Sequence, residues 1–148
     1  MELSDIIDKP TVENLTHYSN WLYQQADDPI FEERVNAYRT IRDEHIARPP
    51  ILDTIETQLA RLEECRAQVD ALFEAQQAVT GTLGERREAR KKIIASYKQN
   101  AIFPNTDSAR AVFTHTLAAI HELKHTPFSV EIPPYLERAE TMKTFYQD

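Results

Sequence analysis

Residues 121 to 125 read His-Glu-Leu-Lys-His, the one stretch of this 148-residue chain whose residue types and spacing meet a known catalytic requirement. In the pattern H-E-x-x-H, two imidazoles four residues apart leave the same helix face and ligate Zn²⁺. The Glu between them polarises a metal-bound water as general base. His121 and His125 would be the ligands and Glu122 the base of a small zinc-dependent metallopeptidase. The pattern has only three fixed letters and recurs by chance, so its surroundings decide its weight.

Those surroundings argue against catalysis. The metzincin extension needs a Gly and a third His soon after the second ligand, and the chain reads TPFSVEIPP after His125. A third ligand would have to come from Glu137 or Glu140 across a short connection carrying two prolines, and no strand precedes the motif to align a peptide substrate. At about 100° per residue, Val112, Phe113, Thr116, Leu117, Ile120 and Leu123 form the buried arc of the helix expected here. His121 and His125 fall at the edge of that arc or beyond. The context favours an exposed helix flank with no metal and no cofactor, zinc being the alternative.

Other features point to binding rather than reaction. ERREARKKIIASYK concentrates Arg86, Arg87, Arg90, Lys91, Lys92 and Lys98 in one segment, and Arg87, Lys91 and Lys98 are candidates for contact with phosphates or an acidic partner. The competing reading is internal: in a helical hairpin turning near Gly81, Glu74 would approach Arg86 to Arg90 and Asp70 would approach Lys92, fixing register. Tyr18, Trp21 and Tyr23 in HYSNWLYQQ form an aromatic group of the kind binding sites use, although aromatics at helical spacing more often line a core. Cys65 reads as a buried thiol, since its neighbours one turn away are Arg61 and Val69. His17, His45 and His115 stand alone. Gly81 and Gly84 are the only glycines, so no phosphate-cradling loop exists, and no G-x-S-x-G occurs.

The elements that must position these residues are helical. With 41% hydrophobic and 28% charged residues but only 2 Gly, the composition suits a folded helical chain rather than a hairpin-rich or disordered one. The spacing predicts helices over about 11–26, 29–47, 51–80, 83–99 and 106–125, with a possible sixth after Pro133-Pro134. Leu52, Ile55, Leu59, Leu62, Val69, Leu72, Phe73 and Val79 give the third its long stripe, and Thr82-Leu83-Gly84-Glu85 is a capping box opening the fourth. Thr106 or Asp107 should cap the fifth, and 126–133 should be a short irregular segment containing the strand-like FSVEI. The expected fold is all-α: five to six helices, in one domain over 1–148, around an antiparallel hairpin of about 51–80 and 83–99.

Charge sets the last boundary. Residues 1–80 hold 16 acids and 7 bases, net −9, whereas residues 81–148 hold 8 acids and 10 bases, net +2. Overall acidity disfavours general coating of nucleic acid. A single Cys, no signal-like apolar block and no apolar run near ~18 residues suggest a cytoplasmic protein with no membrane partner. The expected function is a non-catalytic protein-binding module: an adaptor, subunit or inhibitor acting through helix faces. Its acidic early helices would engage a basic site on a nucleic-acid-handling protein. A leftover apolar stripe would also permit a homodimer, and nucleic-acid binding through 85–98 is a further alternative.

Overall fold

The structure is a computed structural model that describes residues 1–147. Among them are eight α-helices, one 3-10 turn and no strand: α1 (Ser4–Ile7), α2 (Val12–Tyr23), α3 (Phe31–His45), α4 (Pro50–Gln77), α5 (Leu83–Asn100), α6 (Thr106–His121), the 3-10 turn (Ser129–Glu131), α7 (Ile132–Glu140) and α8 (Lys143–Tyr146). The all-α class is as expected. The number is eight rather than five or six, because α1 precedes the first expected helix and the sixth divides into α7 and α8.

Local chemistry sets most boundaries. Thr11 caps α2 by accepting from the Asn14 amide at 3.1 Å, and Pro50 occupies the first turn of α4, where its missing N–H is not needed. Thr82 caps α5: its hydroxyl oxygen accepts from the Glu85 amide at 3.2 Å and donates to the Glu85 carboxylate at 3.0 Å. Gly81 precedes it at φ 106°, a left-handed conformation that a Cβ would strain. At α6 the cap is Asn105, which accepts from the Ser108 amide at 2.8 Å, so the cap lies one residue before the expected Thr106 or Asp107. FSVEI forms the 3-10 turn and the start of α7 instead of a strand.

Two apolar clusters make the interior. The larger is built on Leu52, Ile55, Leu59 and Leu62 of α4, with Phe113 and Ile120 of α6, Ile132 of α7 and Met142 between α7 and α8. The smaller joins Ile6, Leu15, Tyr18, Leu22, Val35 and Tyr38 of the first three helices. The segment 127–131 fastens the two together. Phe128 belongs to the larger cluster and Val130 to the smaller. Ser129 and Ser19 share a buried hydroxyl contact at 2.7 Å, and the Val130 amide donates to Ser19 Oγ at 3.2 Å. The Tyr38 hydroxyl lies 2.6 Å from the Pro127 carbonyl and 3.1 Å from that of Leu15.

At the end of that segment, Glu131 receives Arg39 Nε at 3.0 Å and Arg42 Nη1 at 3.1 Å. The Arg42 side chain is only 4% exposed and that of Glu131 11%. Arg42 also lies 4.2 Å above the Phe128 ring. Removing one partner of such a pair leaves a buried charge uncompensated, which costs ~3–5 kcal/mol. Glu131→Leu should therefore lower unfolding stability by about that amount in urea titration, more than Glu63→Leu, which removes a half-exposed pairing with Arg138.

Burial pushes the Tyr38 and Tyr146 hydroxyls above their ordinary pKa. For a raised pKa, the neutral form is favoured in the folded state. Its contribution is complete below the unfolded-state value of about 10 and is lost as pH rises beyond it. Thermal stability should hold through neutral pH and fall above about pH 10. Tyr146→Phe should blunt that alkaline fall, as followed by circular dichroism.

Candidate partner-binding surface

The hairpin of α4 and α5 is antiparallel. Gln68 of α4 ties its far end: its side-chain amide donates to the Asn100 carbonyl at 2.9 Å and accepts from the Ile102 amide at 3.2 Å. Ala75 and Leu72 share a shallow groove with Ile93 and Ser96. This register places Asp70 and Glu74 opposite residues nearer the C-terminal end of α5 than the sequence suggests. Among the described residues no ion pair joins the two helices; Lys91 pairs instead with Glu88 of its own helix at 3.6 Å. The expected pairs of Glu74 with Arg86 to Arg90, and of Asp70 with Lys92, are not formed. Apolar seam residues and the two Gln68 hydrogen bonds set the register in their place.

Beyond its root the hairpin is an arm with no third layer. No residue between Cys65 and Phe103 is buried, although the segment carries Val69, Leu72, Phe73, Val79, Leu83, Ile93, Ile94 and Tyr97. Phe73 is 58% exposed and Leu83 57%. At 1.5 Å per residue, the part of α4 from Arg66 to Gln77 extends about 18 Å past the last buried side chain. The far turns of α4, 67–77, carry Asp70 and Glu74 and no base, whereas α5 carries six bases and two acids, net +4. Arg87, Lys91 and Lys98 are all exposed and, at helical spacing, lie within about 40° of one another on one side of α5.

The aromatic candidates lie elsewhere. Tyr18 is 3% exposed, with its ring stacked 5.5 Å from Tyr38 and tilted 5.7 Å from Trp21. Trp21 is half-buried and faces the Arg34 guanidinium at 5.8 Å. Tyr23 is half-buried against the larger cluster. Tyr18 is thus a core ring, and the group offers a partner at most an edge. A hollow formed by Arg42, Asp43, Ile46, Ala47 and Arg48 contains two guanidiniums, but Arg42 is held by Glu131 and Asp43 and Arg48 by Asp53 and Glu56.

His121 is helical as expected, but the expected continuation of the helix through Glu122 to His125 is overturned. α6 ends at His121, and Glu122 is its C-cap. Leu123 is buried, drawing the following turn inward. Its amide bonds to the Ile120 carbonyl and that of Lys124 to His121, both as tightened three-residue turns. His125 stands at φ 60°, in the left-handed region. Pro127 disfavours helical backbone at Thr126, and buried Pro127 and Phe128 fix the exit. The two imidazoles therefore do not project one turn apart from a single helix face, as paired ligation requires. Both are exposed, as is Glu122. Among the described residues no three His, Cys, Asp or Glu side chains gather closely enough to hold a metal.

Cys65 is buried as expected. Arg61, its neighbour one turn earlier, bonds Gln58 at 2.9 Å and lies 4.7 Å over the Phe103 ring. Among the described residues no helix is long and apolar enough to cross a membrane. No protein-family model matches the chain, nor does any curated protein or solved structure. From the sequence alone the whole apolar stripe of the hairpin reads as core, whereas the structure leaves its outer part unburied. The available signal was the thinning of the stripe after Cys65, where Gln68, Ala75 and Gln76 interrupt the Leu and Ile run.

His121 ends α6 while His125 lies beyond a tightened turn, so the double variant His121→Ala, His125→Ala should retain no less zinc than the parent. Tag-free protein given one equivalent of zinc, dialysed and measured by plasma emission checks this. Zinc lost only in the double variant would restore the metal reading.

Proposed function

We propose that this chain is a non-catalytic protein-binding module whose binding element is the α4–α5 arm. One observation carries the reading: eight sizeable apolar side chains stand between Arg66 and Asn100, and none is buried. A two-helix layer covers only the seam between its helices. Packing against a further helical layer would bury the rest at roughly 25 cal/mol per Å² of apolar surface. Recognition of a helix face through spaced apolar anchors suits this shape.

The basic side of α5 defines the partner's chemistry further. With Arg87 and Lys98 free of ion pairs within the described residues, a partner presenting carboxylates beside its apolar anchors is favoured over a basic one. The acidic early helices are a weaker basis for binding, since Asp28, Asp43, Asp53, Glu56 and Glu63 are already engaged by arginines of this chain. Phosphate contact through Arg87, Lys91 and Lys98 is the second reading. The exposure of all three on one helix side supports it, and the chain's net charge of −7 opposes it.

A photo-crosslinking residue at position 73 or 94 should give discrete protein adducts in the cell of origin, and the same residue at exposed position 45 should not. An adduct of twice 17.1 kDa would identify a second copy, and adducts sensitive to nuclease would support the phosphate reading. No adduct at 73 or 94 above the position 45 background would overturn the arm as a binding element. Phe73→Glu should abolish the adduct formed at position 94 while changing stability by no more than ~0.5 kcal/mol, because the ring is already in solvent.

A further inference from the structure

A cleft of about 570 Å³ opens where the root of the arm meets the start of α6 and the C-terminal helix. This lies within the size range of small-molecule sites. Its walls are four aromatic rings, Tyr97, Phe103, Phe145 and Tyr146, and two of them are fixed by contacts outside the cleft. Tyr146 stacks on Phe113 at 5.3 Å, and its hydroxyl donates to the Leu62 carbonyl at 2.5 Å. Phe103 lies under Arg61. The apolar surface is therefore largely preformed, not assembled on demand.

The polar side chains lining the cleft are Cys65, Tyr97, Lys98, Asn105, Thr106 and Tyr146, the last already committed to Leu62. Among the described residues no carboxylate lines it. Among the described residues, exposed Lys98 makes no ion pair and the Tyr97 hydroxyl no hydrogen bond. Asn105 spends its side-chain oxygen on the Ser108 amide, which leaves its NH₂ as the unspent end. Among the described residues, Tyr97, Lys98 and Asn105, side chains able to donate, and no carboxylate thus line an aromatic hollow. A neutral apolar ligand would leave these donors unmatched, and an ammonium would meet a like charge at Lys98.

We infer that this cleft binds a small hydrophobic acid, with an acyl or aryl body between the rings and a single carboxylate toward Lys98, Tyr97 and Asn105. The site shares Val69, Tyr97 and Lys98 with the root of the arm but excludes Phe73 and Leu83, and ligand binding to the isolated chain stands whether or not the outer arm engages a protein.

The test is calorimetric titration of the full chain with decanoate, decanol and decylammonium. Decanoate should bind with one-to-one stoichiometry and a Kd on the order of 100 µM, decanol at least ~5-fold more weakly, and decylammonium more weakly still. Lys98→Glu should weaken decanoate by ~10-fold while leaving decanol unchanged, and Ala101→Leu should weaken both by filling the cleft. Lys124→Glu, on a distant turn, should leave all three unchanged. Circular dichroism melts would establish that each variant is folded. Three results would overturn the inference: no saturable decanoate binding up to ~1 mM, equal affinity for the three head groups, or decanoate binding indifferent to both Lys98→Glu and Ala101→Leu.

Discussion

Glu131 takes a carboxylate into a nearly closed site, and Arg39 and Arg42 of α3 meet it there. A charge in such a place is stable only while it is paired and hydrogen-bonded. The pairing therefore dictates where the segment after α6 lies relative to the first three helices. Ser19 with Ser129, and Tyr38 with the Pro127 carbonyl, hold the same five residues by neutral hydrogen bonds. Two apolar clusters that would otherwise touch only at their margins become one structure through this polar seam.

Fixing that segment leaves α4 as the spine of the larger cluster. Its first half is covered by α6 and α7, with Tyr135 donating to Glu56 at 2.8 Å and Arg138 paired with Glu63 across the surface. Its second half passes beyond any such cover and is met chiefly by α5. The distinction between core and arm is thus a matter of where neighbours end: Leu62 and Leu72 belong to one stripe, yet Leu62 is fully enclosed and Leu72 is not. A layer left unfinished in this way has an energetic reason to acquire another.

The same dependence on neighbours governs the chemistry. Two His four residues apart form a ligand pair only if regular helix runs between them, and here the helix stops at the first of the two. Leu123 is drawn into the core, Pro127 restricts the residue before it, and His125 takes a left-handed backbone conformation. The spelling survives and the geometry does not. The cleft beside α8 arises in the opposite way, since no local pattern links Tyr97, Phe103 and Phe145, and the fold alone assembles them.

Local physical chemistry, legible in the sequence, determined the all-α class, the positions of α2 to α5 to within a few residues, the turn at Gly81 and the Thr82 cap of α5. Each depends on periodicity, capping hydroxyls and backbone freedom within a few residues, and such effects are the same in any surroundings. Tertiary structure alone decided which apolar stripe is core and which is exposed, and whether acidic and basic helices pair. It also decided where α6 ends and which aromatic rings are enclosed, as Tyr18 is and Phe73 is not. Burial, register and the pairing of charges are properties of neighbours distant in the chain. Asp70 could be placed on its helix from the sequence, but its partner across the seam could not, because the seam's register rests on Gln68 reaching Asn100 and Ile102 more than thirty residues away.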